Sequence, residues 1–284
     1  MEKYRKIEGG KYTGERALFM LSNASITDAL FCDGESPLKE SLNLDILRCT
    51  FDWKYPIWYA KNIEVNDSRF TFNARSGVWY TDNITMNRCV IDAPKTFRKA
   101  TRIKLVSCSS EHADETLWFC KDIKLECVKA KGNYLAMASE NVEVNHLELD
   151  GNYFLDGAKN CVVRDSILNS KDAFWNTENV TIINSKITGE YFGWNSKNMV
   201  LINCEISSLQ GLCYIDGLKM INCKLKDSSL CFEYCSKIDA EIIDVFESIK
   251  NPTSGIIRIK GVKELIIDEH SRAKKDEMKI EYLR

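Results

Sequence analysis

The sequence predicts an all-β chain, a single-stranded right-handed parallel β-helix of ten to twelve coils with 19–21 residues per coil. Three observations predict it: a recurring aliphatic row start, an apolar-x-apolar opening to each row, and a frequent asparagine just before it. Rows begin at Leu44, Ile63, Ile84, Ile103, Ile123, Val142, Cys161, Val180, Met199, Leu218 and Ile238. A repeat of this length, sustained over so many rows, is the signature of a solenoid.

Each element of a row has a physical reason. Openings such as Ile63-Glu64-Val65 and Val180-Thr181-Ile182 alternate with the period of a strand that buries one face. Five residues on stands a small residue in most rows, for example Cys49, Ser68, Cys89, Cys108, Ser166, Ser185, Cys204 and Cys223. Two further comes another apolar residue, as at Phe70, Ile91, Leu149, Leu168, Ile187, Ile206 and Leu225. Stacked coil on coil, these columns make a core that no single row could bury. Asn62, Asn83, Asn141, Asn160, Asn179 and Asn198 sit at the corner before the strand. Asparagine tolerates the left-handed conformation there and hydrogen-bonds its like in the next coil. The cysteine column reads as small hydrophobes in a narrow interior.

The chain reads as one domain, 1–284: residues 1–43 an irregular N-terminal coil and cap, 44–255 the regular coils, 256–284 C-terminal strands and a charged tail. Ile256–Ile259 and Leu265–Ile267 look like strands; the tail from Ser271 reads as a short helix or as partly disordered.

Composition narrows the function classes. A formal net charge of −2 gives no general pull towards nucleic acid or anionic lipid. No apolar run reaches transmembrane length, and the charged start, Met1 to Glu8, lacks a signal-peptide core. The cytoplasm is the expected compartment, with the 12 cysteines reduced. Cys231 and Cys235 lack the paired spacing of a zinc site, so neither metal nor cofactor is expected.

Several segments carry a resemblance: Gly34–Glu40, Lys54–Tyr59, Pro94–Arg98, Ser170–Asn176 and Gly189–Trp194. With the asparagine corner and the coil length, they make the chain resemble the pectin-lyase-like right-handed β-helix superfamily. Within it, the chain is similar to a bacterial family classed as a domain of unknown function. The resemblance implies the fold and brings no catalytic residues. Of the polygalacturonase-type motifs, only Arg-Ile-Lys recurs, at Arg102–Lys104 and Arg258–Lys260, with Asn176-Thr177-Glu178 as a near miss.

Four residues before the corner of successive rows stand Trp58, Trp79, Trp118, Met137, Asp156, Trp175, Trp194 and Cys213. The preceding position is apolar almost throughout, so alternation turns the tryptophans outward into a stripe. Trp58, Trp79, Trp118, Trp175 and Trp194, with Arg75, are the candidate substrate-binding residues. Asp172, Glu190, Asp156 and Lys171 are the catalytic candidates, because a glycosidase needs two carboxylates about 5–10 Å apart and these lie on neighbouring rows. Lys171, Arg75, Lys95 and Arg98 offer charge for an acidic sugar, and His112 with Asp114 reads as a solvated turn. Two readings stay open. One is an oligosaccharide-binding or -processing protein, a lyase or hydrolase if an enzyme. The other is a non-enzymatic scaffold whose stripe meets a protein partner or a second copy.

Overall fold

The computed structural model describes residues 5–274 and 276–283. They fold as an all-β, parallel β-solenoid, and the chain divides into two compact units, Met1–Glu143 and Val144–Arg284. The turns of the two units together number about 15 among the described residues, more than the ten to twelve expected.

In the first unit, strands Arg5–Glu8, Ser22–Thr27, Leu42–Leu47, Lys61–Asn66, Asp82–Asn87, Thr101–Val106 and Lys121–Lys131 pair in parallel, each with the next. Their register stacks Ala24 on Leu44, then Ile63, Ile84, Ile103 and Ile123, the column read from the sequence. Residues 5–43 add two turns to the count. One irregular coil and a cap were expected there; alanine at the row start and a first row beginning Arg-Lys-Ile hid the regularity, although the strands pair in register.

A second column of short strands carries the apolar residue seven places on. Tyr12, Phe31, Phe51 and Phe70 stack there as a ladder, with ring centroids 5.3, 4.9 and 4.6 Å apart. Coils repeat at about 4.8 Å, which is also a favourable ring spacing, so a phenylalanine repeated once per coil packs on itself.

In the second unit, strands Lys159–Arg164, Glu178–Ile183, Lys197–Ile202, Asp216–Leu225, Ser236–Lys250, Gly255–Ile266 and Met278–Tyr282 pair in the same sense. Cys161, Val180, Met199, Leu218 and Ile238 are stacked partners. The charged tail, read as helix or disorder, instead supplies the strand Met278–Tyr282, with Met278 opposite Gly255. Alternating Met-x-Ile-x-Tyr suits that edge position.

The corner asparagines take positive φ, from 54° at Asn198 to 60° at Asn83. In the first unit the amide of Asn43 donates to Asn23, Asn62 to Asn43 and Asn83 to Asn62, each at 2.9 Å. In the second, Asn179 donates to Asn160 and Asn198 to Asn179, both at 3.0 Å. Asn184, Asn203 and Asn222 form a further ladder starting from Asp165. All 12 cysteines are free, and Cys127 alone is exposed.

Candidate functional site

The tryptophan column lies on the turn after the second strand column. The residue before each ring, Ile57, Val78, Leu117, Phe174 or Gly193, is buried, which leaves the rings half-buried and outward. Their surroundings are more specific than alternation foretold.

In the first unit, Trp58 and Trp79 stack at 5.2 Å and 8°. On the next coil Arg98 takes the column position, with its guanidinium 4.7 Å from the Trp79 ring and 4.8 Å from the Trp118 ring. The indole N–H groups donate to backbone carbonyls one coil on: Trp58 to Ser76 at 2.6 Å, Trp79 to Lys95 at 2.8 Å and Trp118 to Tyr134 at 2.7 Å. Within this column the rings turn faces to one another or to Arg98. Beside it Tyr59 and Tyr80 stack at 4.8 Å, both exposed. Sequence reading passed over these tyrosines, although each directly follows a column tryptophan.

In the second unit, Trp175 and Trp194 stack at 5.7 Å and 14°. Their N–H groups donate to Tyr191 and Gln210 at 2.7 and 2.8 Å. Tyr214 and Tyr234 extend the column, and Arg272 covers the Tyr234 ring at 3.9 Å.

The four catalytic candidates gather in this unit. Lys171 Nζ lies 3.0 Å from Glu190, and that hydrogen bond raises the lysine pKa. Asp172 holds its coil by donating its N–H to the Glu190 carbonyl at 2.9 Å. Its side chain is only 2% exposed, and Oδ1 is buried without a hydrogen-bond partner. Burial pushes its carboxyl above the ordinary carboxylate range. A hydrogen bond with Tyr153 and the charge of Lys171 oppose that rise, while Glu190 and Asp156 add to it. Asp156, half-buried, accepts from the Asn176 amide at 3.0 Å.

Asp172 occupies a left-handed corner (φ 57°) where the coils before and after carry Tyr153 and Tyr191. An acid therefore replaces a ring beside Trp175, whose indole meets Tyr153 at 5.9 Å. Sequence spacing placed Asp172 near Glu190 and Asp156; a reading for carboxylates passed over the enclosing tyrosines.

The remaining cations of the expected sugar site are mostly engaged. Lys95 and Arg98 both reach Glu115, at 3.2 and 3.5 Å. Arg75 is exposed and makes no ion pair among the described residues, while His112 meets the edge of Phe72 at 5.2 Å. No group of three or more His, Cys, Asp or Glu side chains among the described residues is arranged to hold a metal ion. No helix among them is long and apolar enough to cross a membrane.

No curated protein matches the sequence. Among solved structures, the chain is similar to a mutant tailspike protein of E. coli bacteriophage HK620 in complex with a hexasaccharide, at 10% identity and a TM-score of 0.48. That likeness covers 96% of this chain and 71% of the tailspike chain. The A-module of the Azotobacter vinelandii mannuronan C-5 epimerase AlgE6 is similar at 10% identity and a TM-score of 0.37, over 98% of this chain and 79% of that one. PfbA, a surface adhesin of Streptococcus pneumoniae, is similar at 12% identity and a TM-score of 0.37, over 77% and 69%. With residues 5–281 matched to the family's profile, the chain belongs to the family described as Protein of unknown function (DUF3737).

Proposed function

We propose that the protein binds oligosaccharides on the turn face of its second unit and acts on them through the acid cluster there. Asp172 is the proton donor and Glu190 the second carboxylate. Lys171 holds Glu190 in an ion pair, and Asp156 adds negative charge near the acid. Trp175 and Trp194, both half-buried, flank the sugar. The observation that carries this reading is Asp172, a buried carboxyl whose pKa burial raises, with one oxygen unpartnered and two further carboxylates beside it. A carboxyl raised in pKa by its surroundings, with a second carboxylate near it, is the general pattern of the acid in glycoside hydrolysis.

One observation favours the scaffold reading instead. The column indoles stack on one another and donate their N–H groups to the backbone, as a structural ladder would.

Titration of the full chain with neutral and acidic oligosaccharides, mannuronan fragments among them, separates the two. Tryptophan fluorescence reads binding, and release of new chain ends reads turnover. The enzyme reading expects saturable binding that Trp175→Ala weakens, and turnover that Asp172→Asn abolishes while binding persists. Silence across the panel, together with self-association that buries the turn face, would overturn it in favour of the scaffold.

A further inference from the structure

The coils of the first unit are unequal. Ile63 to Ile84 spans 21 residues and Ile103 to Ile123 spans 20, against 19 for most. Phe51 pairs with Phe70 and Trp58 stacks on Trp79, so the surplus of the longer coil lies between Phe70 and Trp79. There Phe72–Ala74 turns as a 3-10 helix. The register of Ser109 with Val90 and of Trp118 with Arg98 places the other surplus residue between Ser109 and Trp118, the segment of His112. Both insertions thus fall at the same corner, and Phe72 and His112 meet there. In solenoids, per-repeat insertions collect on one face, often the binding face.

Trp53, Lys54, Phe72, Asn73 and Arg75 line one open depression at this corner. Phe72 is 56% exposed and Trp53 36%. Unlike the five column tryptophans, Trp53 makes no hydrogen bond or ring contact among the described residues, so no ring stacks on it. Lys54 is held by Glu35 at 2.7 Å. The Asn73 amide donates to Asp52 at 3.3 Å, and Asp52 also accepts from Thr71. That leaves Arg75 as the cation of the depression without an ion pair among the described residues, beside two exposed aromatic side chains.

We infer that this depression binds an anionic sugar unit. The apolar C–H face of the sugar lies on Trp53 or Phe72, and its carboxylate, sulfate or phosphate is held by the planar fork of Arg75. A nucleic-acid strand would need several free cations in succession, whereas the neighbours Lys54, Lys95 and Arg98 are already in ion pairs. The inference concerns the first unit alone and does not rest on the acid site around Asp172.

Saturation-transfer NMR and titration of the full chain would use glucuronate, glucose 6-sulfate, glucose 6-phosphate, glucose and inorganic phosphate as probes. At least one anionic sugar should bind about tenfold tighter than both glucose and inorganic phosphate, as a charge-assisted bond added to a stacking contact requires. Arg75→Gln should bring its affinity down to that of glucose, and Trp53→Ala or Phe72→Ala should weaken it about tenfold. Added salt should weaken it too, and Asp172→Asn should leave it unchanged. Which sugar binds best identifies the anion. All these side chains are at the surface, and unchanged circular dichroism confirms that the variants fold. No sugar binding, equal binding by Arg75→Gln, or inorganic phosphate binding as tightly as the best sugar would overturn the inference.

Discussion

Arg98 is where the first unit's aromatic column can be tested most sharply. Its guanidinium lies between the Trp79 and Trp118 rings at 4.7 and 4.8 Å, its side chain is 23% exposed, and Nε is buried without a hydrogen-bond partner. Each cation–π contact at such a partly desolvated position contributes about 1–2 kcal/mol. The ion pair with Glu115 at 3.5 Å is partly solvated and adds no more than about 1 kcal/mol. Arg98→Ala should therefore cost about 3 kcal/mol, including the packing of the aliphatic stem. At roughly 2–4 °C per kcal/mol for a cooperative unit of this size, the melting midpoint should fall by about 6–12 °C.

Arg98→Trp should behave differently. The interval on either side of Arg98 is one coil repeat, and Trp58 and Trp79 already stack across such an interval at 5.2 Å. An indole there would continue the column, so this variant should stay within about 1 kcal/mol of the parent. Arg98→Lys, which keeps the charge and loses the plane, should fall between the two. Thermal and urea unfolding followed by far-ultraviolet circular dichroism would rank the three. An Arg98→Ala loss below about 0.5 kcal/mol, or an Arg98→Trp variant as unstable as Arg98→Ala, would refute the stacking argument.

Two further outcomes follow from burial. Asp172 has its folded-state pKa raised, so its ionisation opposes folding: no penalty exists below the ordinary carboxylate range, and it grows as pH rises from there through the folded value. Asp172→Asn keeps an acceptor for Tyr153 and should melt higher than the parent at pH 7, with the gain vanishing near pH 3; a gain that is independent of pH would argue against a desolvated acid. Thiol labelling supplies the other. Cys127 is the exposed cysteine, whereas burial pushes the thiols of Cys120 and Cys213 up to about 12, so an alkylating reagent should modify one site in the folded protein and all 12 only in denaturant. Rapid native labelling at several sites would contradict the closed core.

The parts of the molecule that were legible in advance are those the repeat imposes on every coil. Ile63, Ile84 and Ile103 stack because like residues recur at one coil length, and Asn62 and Asn83 follow from the left-handed corner before them. The candidate acid Asp172 was legible by the same arithmetic, since its row position sets it beside Asp156 and Glu190. The ends were harder to read. Ala24 gives a weak row start, and the tail strand Met278–Tyr282 has no second copy of its pattern to announce it.

By itself, then, the sequence determined the coil length, the inward columns and the asparagine corners, because in a solenoid each coil packs mainly on its neighbours and periodicity is nearly the whole fold. Tertiary structure alone decided what the outward residues do. Whether an indole finds a stacking partner depends on what stands one coil away, and so Arg98 became a filler between two rings while Trp53 has no ring partner among the described residues. Whether a cation is paired depends on an acid of a neighbouring coil: Lys171 meets Glu190, whereas Arg75 is in no ion pair among the described residues. These are contacts between residues about 20 positions apart in sequence but about 5 Å apart in space, the separation of neighbouring coils.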